Sequence, residues 1–279
     1  MAVSRIFLWL GFAFIVYAGL LLLTGLSGLA MGEAKAGQVF LGLSAVLGTI
    51  GSIVYFTSQN APKRERPRDV LIFLILFWII VPIATSLPFL ALGVVPGPMH
   101  GYFESVSAIT TTGASTLVPE NLPRSLLVWR SALQWSGGCF VAVFAVVILA
   151  ALNLSGPGVH RSVFFTLKTG ELFSRLIDIG KIIITVYAVI SIICFCLLML
   201  SGAPIFESFC LSLSAVATGG LAPRSGPLYL YISNLGGVIL AVTCLWGPSI
   251  FRFCGTLPAS GTCRLLLMRR VMSKAAACL

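Results

Sequence analysis

The sequence is dominated by apolar runs that are about as long as a lipid bilayer is thick. The first extends over residues 6–30, the second over 37–56 and the third over 70–92. A membrane-spanning helix needs about 20 consecutive, mostly apolar residues. Only 9% of the 279 residues are charged, whereas soluble domains average about 25%, so these runs cannot form the core of a soluble globule. The chain is therefore predicted to be an all-α integral membrane protein.

Six spans are predicted in all, because three further apolar runs follow at residues 124–152, 181–202 and 229–251. The first apolar run comes directly after Arg5. A signal peptide has the same arrangement, with an apolar core that follows basic residues. Such a core has only about 7–15 residues. We therefore interpret residues 6–30 as an uncleaved helix.

Basic residues are concentrated on one side of these spans. If the N-terminus is cytoplasmic, 14 of the 18 Lys and Arg residues fall in cytoplasmic segments. The opposite side holds only Lys35, Arg124, Arg130 and Arg224. Cytoplasmic loops of membrane proteins carry such an excess, so both termini are expected in the cytoplasm. The net charge of +10 is thus attributed to membrane topology and contact with lipid, and no nucleic-acid partner is expected.

Some segments are too short to cross the membrane. Residues 101–110 predict a helix of about 10 residues, which is about 15 Å long and half the thickness of the hydrocarbon core. A loop rich in Thr and Gly follows at 110–116. Residues 214–221 repeat the pattern of residues 107–114, so a second short helix and a second loop are predicted there.

An internal repeat defines the predicted architecture. The tripeptide Phe-Glu-Ser at 103–105 recurs at 206–208, with four extra residues before the second loop. Two copies of span, short helix, loop and span are therefore predicted, after two extra N-terminal helices. The predicted units are an N-terminal helix pair at 1–57, a first pore repeat at 58–155, a second pore repeat at 156–251 and an atypical basic tail at 252–279.

The composition of the two loops favours binding of a monovalent cation. Irregular backbone at membrane depth must be buried in protein or line water. Backbone carbonyls there can replace the hydration shell of a cation, and Gly permits the necessary conformations. Neither loop contains Asp or Glu, which disfavours a carboxylate site for a divalent ion. The alternative is that Thr and Gly serve only as small residues for helix packing.

Several motifs together resemble the Trk/Ktr/HKT superfamily of potassium-uptake proteins. The resemblance covers roughly residues 5–243, and the Thr-Thr-Gly loop followed by Trp-Arg and Gln-Trp is its most specific part. The matching segments are residues 103–105, 107–117, 129–135 and 214–226.

The resemblance implies a fold and a function. Members of this superfamily are similar to four fused copies of a two-helix potassium-channel subunit, whose loops surround one selectivity filter. The resemblance implies that filter carbonyls for potassium come from Thr111, Thr112, Gly113, Thr218, Gly219 and Gly220. It also implies a TrkH-type translocating subunit in a bacterial inner membrane, a homodimer, and a cytoplasmic nucleotide-binding regulatory subunit. Potassium is then the transported substrate, and no cofactor or enzymatic activity is expected.

The chain departs from the superfamily in the number of repeats. Two repeats are present instead of four, and the resemblance ends after Thr243, where a segment with four Cys and no acidic residue begins. We therefore expect a truncated form, from a shifted or spliced reading frame or a partial gene. The alternative function is a non-conducting truncated membrane protein or a scaffold. A membrane enzyme is disfavoured, because no Ser/His/Asp, Cys/His or paired-carboxylate set is evident.

A few polar residues near the loops have two interpretations. Arg130 is either an anchor near the pore or a side chain that snorkels to the interface. Glu104 and Glu207 are expected near the N-termini of the short helices, where they complement the helix dipole or attract cations. Gln134 is expected to make an interhelical hydrogen bond, and Trp129 is expected to lie at the interface or to pack.

Overall fold

The computed structural model describes residues 3–59, 67–153 and 172–246. The regular elements in these ranges are helical. Eight α-helices follow one another there: α1 Val3–Ala30, α2 Ala34–Ser58, α3 Pro67–Ala91, α4 Pro98–Ile109, α5 Arg124–Asn153, α6 Leu172–Leu200, α7 Ile205–Val216 and α8 Asn234–Trp246. Single 3-10 turns at Pro119–Asn121 and Leu228–Leu230 precede α5 and α8.

The helix lengths confirm an all-α membrane protein. Within the described ranges, four helices are long and apolar enough to cross a bilayer, and they are α1, α2, α3 and α6. Helix α5 has 30 residues, which corresponds to about 45 Å, but its N-terminal half carries Arg130 and Gln134. The described part of α8 has 13 residues. That α5 and α8 are the remaining two spans stays a prediction.

Helices α1 and α2 form a closely packed hairpin. The approach is closest at two pairs of glycines, one toward each end. A Cβ atom on Gly51 would lie 3.1 Å from the Gly11 carbonyl oxygen, and one on Gly37 would lie 3.1 Å from the Gly25 carbonyl oxygen. Small residues at such positions allow helix backbones to approach in a membrane. The N-terminal helix pair therefore packs through backbone contact.

The main apolar core lies where α3 and α5 meet the helix hairpin. Phe77 of α3 packs on Phe140 of α5 with ring centroids 4.9 Å apart, and Phe40 of α2 packs on Trp129 at 5.9 Å. Trp129 is fully buried, and its indole N–H donates to the Thr85 carbonyl at 3.2 Å. This resolves the two interpretations of Trp129, which packs inside the protein.

The short helices differ from expectation in their register. Each has 12 residues, or about 18 Å, and α4 begins at Pro98 rather than at residue 101. Glu207 lies in the first turn of α7, as expected. Glu104 is the seventh residue of α4, outside its first turn, so the predicted N-terminal position of Glu104 is wrong. The four extra residues of the second copy amount to about one helical turn, and they shift Glu207 by that turn.

The connection between α1 and α2 lies against the start of α5. Glu33 accepts hydrogen bonds from the backbone N–H groups of Arg124 at 2.6 Å and Ser125 at 3.0 Å, and from the Ser125 hydroxyl at 2.7 Å. A carboxylate at a helix N-terminus satisfies free N–H groups and complements the dipole. The hairpin of α1 and α2 thus fixes the N-terminus of α5, which follows the first Thr/Gly loop in the chain.

Candidate functional site

The two Thr/Gly loops have the same backbone conformation. In the first loop Thr111 has φ 57° and Gly113 has φ 77°, while in the second Thr218 has φ 54° and Gly220 has φ 76°. Among the described residues, Thr111 and Thr218 are the non-glycine residues with positive φ. In each loop, two left-handed residues are therefore separated by one residue whose φ is not positive.

The left-handed threonines are strained. A β-branched residue with positive φ is a genuine outlier, because its side chain crowds the backbone. Such conformations cost about 1–3 kcal/mol each and persist where the surroundings impose them, often at functional sites. Two occurrences, Thr111 and Thr218, at the same point of two loops indicate that the loop geometry is imposed by the fold.

The backbone hydrogen bonds that join each loop to the end of its short helix follow the same pattern. The N–H of Thr111 donates to the Ala108 carbonyl at 3.1 Å, and that of Thr218 donates to the Ala215 carbonyl at 3.0 Å. The next residues repeat the pattern, since Thr112 N–H bonds to Ser107 at 3.0 Å and Gly219 N–H bonds to Ser214 at 2.9 Å. Equivalent positions are therefore Thr111 with Thr218, Thr112 with Gly219, and Gly113 with Gly220.

The two loops lie against each other. A Cβ atom on Gly113 would overlap the carbonyl oxygen of Gly219. The backbone of the first loop therefore passes within contact of a carbonyl of the second. The structure thus brings together residues of both loops that the sequence separates by about a hundred positions.

A buried carboxylate holds the C-terminal part of the first loop. Glu104 is 1% exposed and accepts hydrogen bonds from the Ser115 hydroxyl at 2.9 Å and the Thr116 N–H at 2.7 Å. Arg130, which is 3% exposed, donates to the Ser115 hydroxyl at 2.7 Å and lies 3.7 Å from Glu104. Arg130 is therefore buried in the protein, and the snorkelling interpretation is wrong.

The second loop is held by a different basic residue. Arg224, which follows the loop in the chain, forms an ion pair with Glu207 of α7. Its Nε donates to the Glu207 carboxylate at 2.8 Å, and its guanidinium lies 5.7 Å from the centre of the Tyr231 ring. Both loops thus end on an arginine–glutamate pair, with the arginine supplied by α5 in one case and by the segment that follows the loop in the other.

Glu120 links the segments that follow the two loops. Its carboxylate accepts hydrogen bonds from the Ser225 N–H at 2.5 Å and the Ser225 hydroxyl at 2.8 Å. These bonds stabilise the ionised form, and they lower the pKa of Glu120 below its ordinary value of 4.5. This contact adds a tie between the segments that precede α5 and α8.

The Glu120 tie predicts a specific pH dependence. A carboxyl group whose pKa is lower in the folded state stabilises the fold above its unfolded pKa, and the contribution is lost as the pH falls through the folded pKa. The Glu120→Gln variant is expected to be slightly less stable than wild type at pH 7, and the difference is expected to shrink once the pH falls below 4.5 and to disappear below the pKa of folded Glu120. Thermal unfolding of the detergent-purified protein across this pH range measures it. A constant difference at all pH values would contradict the role of ionised Glu120.

Two adjacent glycines in α5 lie between the ends of the two short helices, and each is in close contact with one of them. A Cβ atom on Gly137 would overlap the Ile109 carbonyl at the end of α4. One on Gly138 would lie 3.2 Å from the Cα of Ala217, at the end of α7, and would crowd the Tyr187 hydroxyl. This pair was not predicted from the sequence, although two adjacent glycines inside an apolar helix are a signal of close packing.

Gln134 lies one turn before these glycines on α5. It is fully buried, and its Oε1 accepts a hydrogen bond from the Ser214 hydroxyl of α7 at 2.8 Å. This is the interhelical hydrogen bond that the sequence predicted. The contact joins the second helix of the first predicted repeat to the short helix of the second.

The sequence profile of one protein family matches most of the chain. The family is TrkH, described as a cation transport protein, and the match covers residues 36–245. The chain belongs to the TrkH family. The resemblance inferred from the sequence motifs is thereby confirmed.

Curated TrkH relatives match over most of the chain. The potassium uptake protein TrkH of the Trk system of Salmonella typhimurium is 30% identical over 248 residues, which is 88% of this chain and 50% of that protein. The protein of the same name from Halomonas elongata is 33% identical over 202 residues, covering 71% of this chain and 41% of its own length. The chain spans about half the length of the TrkH relatives it matches.

A solved TrkH structure shares the fold. The crystal structure of the potassium transporter TrkH from Vibrio parahaemolyticus superposes with a TM-score of 0.74 at 27% sequence identity. The match covers 87% of this chain and 49% of the transporter chain. The described residues of this TrkH-family chain contain no cluster of His, Cys, Asp or Glu suited to a metal ion. The predicted basic tail at 252–279 lies outside the described residues.

Proposed function

We propose that this chain is the pore-forming part of a potassium uptake system and supplies two of the loops of a potassium filter. The observation that carries the proposal is the matching left-handed backbone of the two touching loops. Membership of a cation transport family supports the same function. The proposed potassium ligands are the backbone carbonyls of Thr111, Thr112, Gly113, Thr218, Gly219 and Gly220.

The proposed mechanism follows from backbone geometry. In an extended strand successive carbonyls point to opposite sides, whereas alternation of left-handed and right-handed residues turns them toward one side. A row of carbonyls can then replace the hydration shell of potassium as it passes. The loops bring no carboxylate, so a weakly hydrated monovalent cation is favoured over a divalent one. Glu104, Arg130, Glu207 and Arg224 hold the loops from outside.

The proposal is tested by completing the pore. Residues 1–243 would replace the matching half of the Salmonella typhimurium relative in a single-chain chimera, expressed in a bacterium that lacks its own potassium uptake. We expect growth at low external potassium and uptake of potassium in preference to sodium. A chimera that reaches the membrane and fails to take up potassium would contradict the proposed function.

The chain expressed alone is expected not to restore growth in the same strain. Two loops supply only half of the coordination that a four-loop filter gives, so an ion entering them regains too little of its lost hydration. Exposed carbonyls at membrane depth cost several kcal/mol each. The measurement is growth at low potassium with membrane insertion verified. Restored growth would show that two loops are sufficient.

The alternative function is a non-conducting membrane protein or scaffold. The chimera distinguishes the two functions, since a scaffold would have no reason to carry a working half of a filter. For the pore, we further propose a homodimer and a cytoplasmic nucleotide-binding regulatory subunit as partners.

The proposed orientation places both termini in the cytoplasm of the bacterial inner membrane. It is supported by the location of 14 of the 18 Lys and Arg residues, because basic loops remain on the cytoplasmic side. Reporters fused before residue 1 and after residue 251 are both expected to give a cytoplasmic signal. A periplasmic signal from either fusion would contradict the six-span topology.

A further inference from the structure

The second loop contains a glycine that its own backbone conformation does not require. Gly219 lies between the left-handed residues Thr218 and Gly220, but its own φ is not positive. The equivalent residue of the first loop is Thr112, which carries a side chain whose hydroxyl lies 2.8 Å from that of Thr110. A side chain is therefore compatible with this position of the loop, and the glycine needs another explanation.

The explanation is the side chain of Gln134. A Cβ atom on Gly219 would overlap Cδ and Nε2 of Gln134 and would lie 2.8 Å from its Oε1. The amide group of Gln134 therefore occupies the space that a side chain at Gly219 would take. Gln134 is fully buried, and its Nε2 has no hydrogen-bond partner among the described residues.

The two loops also differ in how the serine at the end of the short helix is used. In the first loop the Ser107 hydroxyl donates to the Ala114 carbonyl at 2.5 Å, so the loop closes on itself. In the second loop the equivalent Ser214 donates instead to Gln134 at 2.8 Å. The second loop therefore lacks this internal bond and rests on a helix of the first predicted repeat.

We propose that Gln134 is a positioning residue that sets the ion selectivity of the second loop, through its contact with Gly219 and its hydrogen bond with Ser214. This inference rests on the proposed function of the loops as a potassium filter. Gln134 itself does not touch the ion. It fixes the place of the Gly219 backbone, whose carbonyl also contacts Gly113 of the first loop, so a shift would disturb both loops.

The contact is tested first on the chain itself, without transport. Gly219→Ala is expected to lower the thermal stability of the detergent-purified protein. In the Gln134→Ala background the same substitution is expected to have little further effect, because the space is then free. The matched control is Gly220→Ala, whose left-handed backbone makes it destabilising in both backgrounds. Equal effects of Gly219→Ala in both backgrounds would overturn the inference.

The role in selectivity is tested in the chimera described above. Gln134→Met keeps the volume and loses the hydrogen bond, and it is expected to lower the preference for potassium over sodium by about tenfold, the scale of one buried hydrogen bond. Ser214→Ala is expected to act in the same direction, and the double variant should be no worse than Gln134→Met. A structural role alone would lower the maximal uptake rate and leave the ion preference unchanged.

The outcomes separate this inference from the proposed function. If the unmodified chimera selects potassium and Gln134→Met does so equally well, the inference is wrong and the proposed function stands. If the unmodified chimera takes up no potassium, the proposed function is wrong and the role of Gln134 in selectivity falls with it.

Discussion

A serine in place of Gly113 is expected to destroy the selectivity of the proposed filter. Gly113 has φ 77°, a conformation that costs a residue with a side chain about 1–3 kcal/mol where the surroundings enforce it. A Cβ atom there would also overlap the Gly219 carbonyl, one of the proposed potassium ligands. The strain and the overlap both displace carbonyls, so the preference of the chimera for potassium over sodium is expected to fall by tenfold or more, about 1.4 kcal/mol per factor of ten.

The matched control for this variant is Gly202→Ser. Gly202 has a similar left-handed backbone with φ 86°, and a Cβ atom on it would meet nothing within 4 Å. It therefore shares the backbone strain and lacks the contact with the opposite loop. Competition between potassium and sodium for uptake is the measurement. Wild-type selectivity in Gly113→Ser would remove Gly113 from the filter.

The sequence was sufficient to predict the helices and the loops, because both rest on local patterns. Apolar runs of bilayer length define spanning helices, and a short apolar helix followed by Thr and Gly marks each loop. The choice of Thr111 and Gly113 as filter residues came from the family resemblance. That resemblance rests on short motifs, each of them contiguous in the chain.

Contacts between distant segments could not be predicted in the same way. Glu104 and Glu207 share a tripeptide motif, yet Glu104 lies about one turn further into its helix than Glu207 does. The two short helices correspond at the end where each meets its loop, and not at the tripeptide. Arg130 is a charged residue near the end of an apolar run, which is typical of an interfacial side chain. Only the position of Glu104 and Ser115 in space explains its burial. The tie between Glu120 and Ser225 has no signal in the sequence.

The glycines of α5 show the same limit more clearly. A glycine inside a helix is usually a weak point, and replacement by alanine normally stabilises the helix by about 0.5–1 kcal/mol. Gly137 has the opposite role, because its missing side chain admits the end of α4. Whether a helical glycine is a weakness or a contact depends on what lies opposite, which periodicity does not encode.

Gly137→Ala is therefore expected to be destabilising, against the usual sign. The methyl group would overlap the Ile109 carbonyl, which belongs to the backbone and cannot rotate away. Overpacking of this kind costs about 1–3 kcal/mol, and relief requires α4 to move away from α5. Since the first loop begins at the end of α4, this movement would also displace Thr111 and Gly113, and potassium uptake by the chimera is expected to fall with the stability.

The matched control is Gly42→Ala on α2, where a Cβ atom would meet nothing within 4 Å. There the helix propensity acts alone, so this variant is expected to be as stable as wild type or slightly more stable. Thermal unfolding of the two variants in detergent is the first measurement, and potassium uptake by the matching chimeras is the second. Equal stability of the two variants would show that α4 does not rest on Gly137. Normal stability with lost uptake would instead indicate that the movement of the loop, and not loss of packing, is the principal effect of the added methyl group.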